Sequence, residues 1–374
     1  MRSDSHSAGR FVRRITGSRG PRASVLAAVA CSLTLAGAGC GASDGADEQT
    51  STGSGATATA AEDVSSRTLK IPETIGGASA ILMAVAREEG FFEREGLDVE
   101  MIKVGDKDDG MLFLAGRIDM SFGAPIDVAL SRAEGVDITV VSPLFNQMTS
   151  IYARAGEDAT IASLRGTKHG QIGAGSTTSR QLQVLMKEDP GVDYLTHFEQ
   201  VYSDPQVLPT LLDREQVDSI ALFPTLDVPL LAKPDEYSVV YGPMTKIWEE
   251  TAGQPLMLSG VTVRDEMLEK EPATAAALVQ VFKSANEFIA ANAEEVVARY
   301  GPDLGLRTAA DQAELVKLIA DGPLYDSDMG PERVRSELRF LEDAVATGVL
   351  EELPDGVLYC AEQPDSPACQ IVGG

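Results

Sequence analysis

The segment QIGAGSTTSRQL (Gln171–Leu182) contains two glycines followed by four hydroxyl side chains and an arginine. Free backbone N–H groups at the start of a helix, together with hydroxyl groups, bind anionic or carbonyl groups. The candidate ligand-binding residues of this segment are Gly175, Ser176, Thr177 and Thr178. Ser176 or Thr177 could instead serve only as a helix cap, which contributes about 1 kcal/mol. Arg180 lies in the predicted first turn, where it could reach an anion or pair with a nearby acid.

Two nucleotide-binding motifs resemble this segment but do not match it. A phosphate-binding loop of the Walker type needs Lys followed by Ser or Thr after the second glycine, and Ser176-Thr177-Thr178 stand there. A dinucleotide fingerprint needs a third glycine, which is absent. The segment is therefore interpreted as one wall of a solute-binding cleft.

Residues that could perform catalysis are few. Beyond the first forty residues the only histidines are His169 and His197, and no nucleophile is paired with either in the sequence, so both are predicted to lie on the surface. The Gly-x-Ser-x-Gly and His-Glu-x-x-His motifs are missing. The sequence thus predicts neither an enzyme nor a bound cofactor or metal.

Alternating strand and helix patterns must position the candidate residues. Runs such as LDVEMIKV alternate with period two, whereas SAILMAVAREEGFF has apolar residues at helical spacing. Strands separated by helices of ten to fifteen residues predict βαβ units and mostly parallel sheets. Ligands of such sheets collect at the carboxyl ends of the strands. Small or polar residues at those ends are Thr74, Gly76, Gly77, Gly123, Ala124, Pro125, Phe223 and Thr225.

Several phrases resemble a known family, the solute-binding proteins of ABC importers for nitrate, sulfonates, taurine and thiamine-precursor pyrimidines. The most recognisable is AREEGFFEREGLDVE, within Ile81–Ile102. FLAGRIDMSFGAPIDVALSRAEGVDITVV, IASLRGTKHGQIGAGSTTSRQL and PTLLDREQVDSIALFPT follow in the family's order. The resemblance covers roughly Arg67 to Leu350.

The resemblance implies an α/β fold of the type II periplasmic-binding-protein kind, with two lobes that close on a solute, each a mostly parallel sheet flanked by helices. Residues 67–147 plus 243–350 would form lobe 1 and residues 148–242 lobe 2. Asn146 would lie where the chain first crosses between the lobes, as a further ligand-binding candidate. Phe145, Tyr202, Phe223 and Trp248 could sandwich a ring, although Trp248 could equally pack at the hinge.

The implied function is a non-enzymatic receptor that captures a sulfonate, nitrate, or a pyrimidine or aromatic solute and delivers it to a permease and its ATPase. A monomer is expected. Two alternatives stay open: an enzyme of pyrimidine or quinone biosynthesis on the same fold, and a sensory lipoprotein. The export signal disfavours the enzyme, because the related enzymes act in the cytoplasm.

The first 39 residues have the form of a signal peptide, with arginines before the short apolar run Val25–Gly37. Lipid attachment at Cys40 would follow, although cleavage after Ala38 also fits the small-x-small rule. Residues 40–66 are rich in Gly, Ser, Thr and Ala and are predicted to form a flexible, lipid-anchored linker. The protein is therefore expected on the outer face of the cell membrane.

The remaining cysteines and the overall charge agree with an exported protein. Cys360 and Cys369 lie nine residues apart in the C-terminal tail, residues 351–374, and are predicted to form a disulfide. A metal site is disfavoured because neither has a nearby His or a second Cys pair. The formal net charge of -26 argues against a nucleic-acid partner.

Overall fold

A computed structural model of the chain describes residues 64, 66–74, 76–104, 109–156, 159–320 and 324–373. The predicted signal peptide, Cys40 and nearly all of the predicted linker lie outside these residues. The strands are β1 (Leu69–Thr74), β2 (Val99–Val104), β3 (Met120–Gly123), β4 (Ile138–Asn146), β5 (Ser150–Arg154), β6 (Lys168–Gln171), β7 (Glu199–Tyr202), β8 (Ser219–Leu222), β9 (Tyr237–Tyr241) and β10 (Met257–Arg264).

Helices separate most of the strands and dominate the C-terminal third, as the apolar periodicity predicts. They are α1 (Gly77–Glu88), α2 (Phe91–Arg94), α3 (Asp109–Leu114), α4 (Pro125–Ala133), α5 (Thr177–Glu188), α6 (Tyr194–His197), α7 (Leu208–Asp213), α8 (Val228–Leu231), α9 (Met244–Ala252), α10 (Asp265–Lys270), α11 (Pro272–Ala291), α12 (Ala293–Tyr300), α13 (Ala309–Ala320), α14 (Pro331–Ala346), α15 (Tyr359–Glu362) and α16 (Pro367–Val372). A short 3-10 helix, Gly301–Leu304, follows α12.

The strands form two separate groups, which we call lobe 1 and lobe 2. Lobe 1 contains the pair β1-β2 and the sheet β3-β10-β4, and lobe 2 contains the sheet β7-β6-β8-β5-β9. The pairs β1-β2, β6-β7 and β6-β8 are parallel. Strand β10 is antiparallel to β3 and β4, and β5 is antiparallel to β8 and β9.

The two-lobed α/β fold is confirmed. The sheets contain both parallel and antiparallel pairs, which corrects the expectation that they would be mostly parallel. The reason lies in the path of the chain. It leaves lobe 1 at the end of β4 and returns along β10, so these neighbouring strands must run in opposite directions. It enters lobe 2 along β5 and leaves along β9, which gives the second antiparallel pair.

The two crossing segments are hydrogen-bonded to each other. In the first segment, residues 147–149, the Thr149 carbonyl accepts a hydrogen bond from the Met244 N–H at 3.0 Å. The Gln147 carbonyl accepts one from the Thr245 N–H at 2.7 Å, and both donors belong to the second segment. Gly242 in the second segment has φ +117, and a Cβ there would lie 2.8 Å from the Ser150 Cα. Only glycine fits this backbone conformation and close approach. The crossing segments thus form a compact connection between the lobes.

Candidate functional site

The helix start predicted in this segment is the first turn of α5. Ser176 is its N-cap, with φ -75 and ψ 151, and its Oγ accepts a 3.2 Å hydrogen bond from the Ser179 N–H. The same hydroxyl donates to the Gly173 carbonyl at 2.9 Å. Ser176 is therefore a helix cap, which satisfies one of the free N–H groups of the first turn.

The next residues of α5 bind a carboxylate from the other lobe. Thr177 Oγ1 donates to Asp127 Oδ2, and Arg180 Nη1 donates to Asp127 Oδ1. Asp127 is the third residue of α4 in lobe 1. Of the two roles considered for Arg180, the structure has it paired with a nearby acid. The starts of α4 and α5, two of the predicted candidate regions, thus lie against each other.

Asp127 is a half-buried carboxylate with opposing influences on its proton affinity. Its side chain is 30% exposed. Burial raises the pKa of Asp127, while the Thr177 hydroxyl and the Arg180 guanidinium act in the opposite direction. The partners of Asp127 lie 50 and 53 positions away, so no local sequence pattern indicates this pairing. The only local signal was an acid three residues after Ala124, the residue that precedes the helix.

Gly123, Ala124 and Pro125 shape the start of α4. Ala124 is the extended N-cap residue, and Pro125 takes the first helical position, where a missing N–H costs nothing. A Cβ at Gly123 would lie 2.5 Å from Thr262 Oγ1 on β10. These three residues therefore fix where α4 begins and bring its first turn, with Asp127, toward α5.

The predicted residues Thr74, Gly76 and Gly77 lie at the end of β1 and the start of α1. Thr74 Oγ1 donates to Ser79 Oγ at 2.8 Å. Gly76 precedes α1, and Gly77 begins it with φ +74, a conformation that favours glycine. Thr74 also lines a cavity of about 310 Å³, together with Lys103 and Tyr300. All residues that line this cavity belong to lobe 1.

Phe223 and Thr225 lie in the turn after β8, next to β6 at the carboxyl edge of the lobe 2 sheet. Thr225 is buried and has φ +78, a strained conformation for a β-branched residue. Asp227, two residues on, accepts a 2.8 Å hydrogen bond from the Tyr152 hydroxyl. Burial raises the pKa of Asp227 to about 7. Sequence reasoning selected this turn but missed its buried acid.

Asn146 is completely buried in a polar network, so the structure does not place it on an open cleft wall. Its Oδ1 accepts a hydrogen bond from Arg333 Nη2 at 2.5 Å, and its Nδ2 donates to Asp326 at 3.2 Å. Arg333 also binds Glu337 at 3.0 Å, and Glu337 accepts the Met257 N–H at 2.8 Å. Helix α14 thus holds the end of β4 and the start of β10, where the chain leaves and re-enters lobe 1.

Both histidines are buried, which shows that the prediction of surface positions was wrong. His169 lies on β6 between Ser219 Oγ at 2.8 Å and the Tyr194 hydroxyl at 2.9 Å. Burial lowers its pKa to about 3. His197 Nε2 is 2.7 Å from the Ile161 carbonyl. Hydrogen bonds within the fold therefore occupy both rings.

The aromatic candidates differ in position. Trp248 is 1% exposed, donates to Ser336 Oγ at 2.9 Å and packs edge-on against Phe340, so it packs against helix α14. Phe145 is buried and packs edge-on against Tyr325. Tyr202 is 54% exposed at the end of β7. The four aromatic residues considered for a ring sandwich therefore do not share one environment.

The described part of the chain has neither a metal-binding cluster nor a membrane-spanning helix. No cluster of three or more His, Cys, Asp or Glu side chains suited to a metal ion occurs among them. Within the same part of the chain, no helix combines the length and apolar character needed to cross a bilayer.

Comparison with solved structures identifies the fold. The aliphatic sulphonate binding protein SsuA of Escherichia coli matches with a TM-score of 0.62 and 17% identity, covering 80% of this chain and 99% of that one. The ligand-binding component of a Staphylococcus aureus ABC-type import system matches with a TM-score of 0.59 and 16% identity, covering 82% and 99%. A Candida albicans gene product with the generic periplasmic binding protein fold matches at 0.55 and 14% identity, covering 80% and 95%.

At these identities the likeness shows the fold and leaves the ligand open. No curated protein matches the chain. The family model described as NMT1/THI5 like matches residues 78–296, which is more than half of the chain. This segment includes all strands of lobe 2, four of the five described strands of lobe 1 and the contact between α4 and α5. The chain belongs to the NMT1/THI5-like family.

Proposed function

We propose that this protein is the extracytoplasmic solute-binding component of an ABC importer. It captures a small polar or anionic organic solute between its lobes and delivers it to the permease. In this proposal lobe 1 comprises residues 67–147 and 243–350, lobe 2 comprises residues 148–242, and no covalent chemistry takes place. The names of the Escherichia coli and Staphylococcus aureus matches, a sulphonate binding protein and an import component, support this proposal.

One observation carries the proposal: α5 binds an oxyanion. A carboxylate from the opposite lobe accepts hydrogen bonds from Thr177 and Arg180 at the start of this helix. The positive end of the helix dipole and the guanidinium would stabilise the sulfonate or carboxylate of a solute in the same way. Closure of two lobes around such a solute gives a binding protein a ligand-dependent shape for its permease to recognise.

The buried histidines support a role without catalysis. His169 is fully buried and hydrogen-bonded on both ring nitrogens, and its lowered pKa keeps the ring neutral at physiological pH. A general base must reach the proton that it removes. His169 is enclosed by Ser219, Tyr194 and Phe198 within lobe 2, so it reaches no solute.

A thermal-shift screen tests the proposal. Sulfonates, nitrate, pyrimidines and aromatic acids are added to the purified protein, and a solute present at 100 times its Kd should stabilise the fold by about 2.7 kcal/mol. The Arg180→Gln variant should lose most of the shift produced by an anionic solute. The matched control is Arg299→Gln, which removes an arginine paired with Glu88 in lobe 1. Absence of any stabilising solute, or conversion of a solute to product, would overturn the proposal.

Export and anchoring belong to the same proposal. Cleavage before Cys40 with lipid on its sulfur would tether the folded lobes to the outer face of the cell membrane, and the protein would act as a monomer. Mass spectrometry of the mature N-terminus separates this from cleavage after Ala38. A mature chain that begins at residue 39 without lipid would contradict the anchor and leave solute capture untouched.

A further inference from the structure

The contact between α4 and α5 joins the two lobes through one acidic side chain. Asp127 belongs to lobe 1, and both of its carboxylate oxygens are bound by side chains of lobe 2. Thr177 and Arg180 are the first and fourth residues of α5, so they lie one turn apart on the same side of the helix. A bidentate arrangement of this kind is what an acidic solute would make.

Further polar groups surround the same helical turn. A Cβ placed on Gly175 would lie 3.7 Å from Arg180 Nη2, so the guanidinium lies close to this exposed glycine backbone. Ser179 is fully buried, and among the described residues its Oγ has no hydrogen-bond partner. Ser179 lies two residues from Thr177, on a different side of the helix. The side that faces Asp127 therefore offers the Arg180 guanidinium and the Thr177 hydroxyl, and Asp127 uses both.

We propose that Asp127 is a built-in competitor of the solute: its carboxylate occupies the place of the solute's acidic group and holds the ligand-free lobes together. The inference rests on the proposed solute-binding function. It adds the residue that makes the site favour anionic over neutral solutes. Two carboxylate-like groups cannot share Arg180 and Thr177 without repulsion, so a solute anion must displace Asp127 from both. A neutral solute has no group that replaces a carboxylate there. The site therefore selects an anionic solute that binds Arg180 and Thr177 tightly enough to displace the Asp127 carboxylate.

The substitution Asp127→Asn tests the competition because it removes the charge and keeps the shape. The matched control is Asp265→Asn, since Asp265 pairs at 2.8 Å with Arg132 at the other end of the same helix α4. Binding of ethanesulfonate is measured by calorimetry for the wild type and both variants. The Asp127→Asn protein should bind at least tenfold more tightly than the wild type, and Asp265→Asn should bind like the wild type.

A double-mutant cycle assigns the gain to Arg180. Arg180→Gln alone should weaken the binding of ethanesulfonate. In the Arg180→Gln background, Asp127→Asn should increase the affinity little, because the guanidinium for which the two anions compete is absent. Small-angle scattering of the ligand-free proteins gives a second readout. The radius of gyration should rise in Asp127→Asn and stay unchanged in Asp265→Asn.

Three results would overturn the inference. They are equal or weaker binding of ethanesulfonate by Asp127→Asn, a gain that persists without Arg180, and a ligand-free radius of gyration that Asp127→Asn leaves unchanged. Weaker binding would mean that Asp127 contacts the solute directly. These results differ from failure of the proposed function, in which no solute of the wider screen stabilises the wild type. A solute that binds wild type and Asp127→Asn equally would refute the competition and leave solute capture intact.

Discussion

His169 illustrates how a single residue escapes sequence reasoning. A lone histidine beside polar residues is predicted to lie on the surface, because no residue near it in the sequence is an evident hydrogen-bond partner for its ring nitrogens. The partners come from distant positions: Ser219 on β8, and Tyr194, whose ring also packs edge-on against it. Phe198 stacks on the ring with centroids 4.5 Å apart. Strand pairing between β6 and β8, which the sequence cannot specify, creates this enclosure.

Burial of His169 predicts a loss of stability in acid. Its pKa is lowered to about 3 in the folded protein, whereas an unfolded histidine binds a proton below about pH 6.5. The unfolded state therefore gains protons first, and this contribution to stability disappears as the pH falls from 6.5 towards 3. The stability difference between wild type and His169→Gln should narrow by about 2 kcal/mol between pH 6.5 and pH 5. Urea unfolding at the two pH values measures it, and a constant difference would contradict the prediction.

Asp227 predicts the opposite dependence. Burial raises its pKa to about 7, so the folded protein holds a proton that the unfolded chain releases near pH 4. The contribution of the protonated Asp227 carboxyl group to the free energy of unfolding is complete below pH 4 and is lost as the pH rises to 7. The stability of the wild type relative to Asp227→Asn should fall by about 2 kcal/mol from pH 5 to pH 6.5. The same urea titrations measure this change. A relative stability that stays constant over this interval would show that the carboxyl group is already ionised in the fold.

At the scale of elements, apolar periodicity predicts most helices but not where one ends inside a long pattern. The segment from Pro272 to Tyr300 has a continuous apolar stripe that predicts one helix, and the structure has two, divided at Asn292. Asn292 leaves the helical conformation with φ -127 and ψ 34, and its side chain donates to the Phe288 carbonyl at 2.8 Å. An asparagine that hydrogen-bonds the local backbone competes with the helix, which explains the break.

The candidate site shows the same division between local and distant information. The glycine, hydroxyl and proline residues that begin α4 and α5 are visible in the sequence because helix starts have local signatures. The acid that joins these helices and the network around Asn146 depend on partners far along the chain. Sequence reasoning can therefore find the pieces of the site, whereas their pairing follows from the tertiary fold.

Helix α14 is predicted to stabilise the fold through its buried arginine. Arg333 is 1% exposed and binds Glu337, Asp326 and Asn146. Arg333→Met would leave the buried Glu337 and the partly buried Asp326 without their cation, at a cost of about 3–5 kcal/mol. The double variant Arg333→Met/Glu337→Leu should recover part of this loss, because it also removes a buried charge. Denaturant unfolding measures both, and a double variant less stable than the single one would argue that Glu337 has other essential partners.

At the scale of the whole molecule, the C-terminal tail packs against lobe 1. The Val140 N–H of β4 donates to the Val357 carbonyl at 3.0 Å, and the Met329 N–H donates to the Val372 carbonyl at 2.8 Å. Helix α16 packs along α11. Cys360 and Cys369 are both buried and joined by a disulfide, as the cysteine spacing predicts. The tail covers the edge of the lobe 1 sheet that β4 would otherwise expose.

Removal of the disulfide should therefore weaken the fold without altering the solute site. A disulfide that closes a loop of nine residues restricts the unfolded chain by roughly 2–3 kcal/mol. The Cys360→Ser/Cys369→Ser protein should lose about this much stability in urea, and its affinity for any solute found in the screen should stay within twofold of the wild type. The affinity is conserved because the tail contacts α4 at Arg132, in the last turn of that helix, whereas Asp127 lies in its first turn. Wild-type protein under reducing conditions should behave like the variant. A large loss of affinity without a loss of stability would place the tail in the closing motion of the lobes.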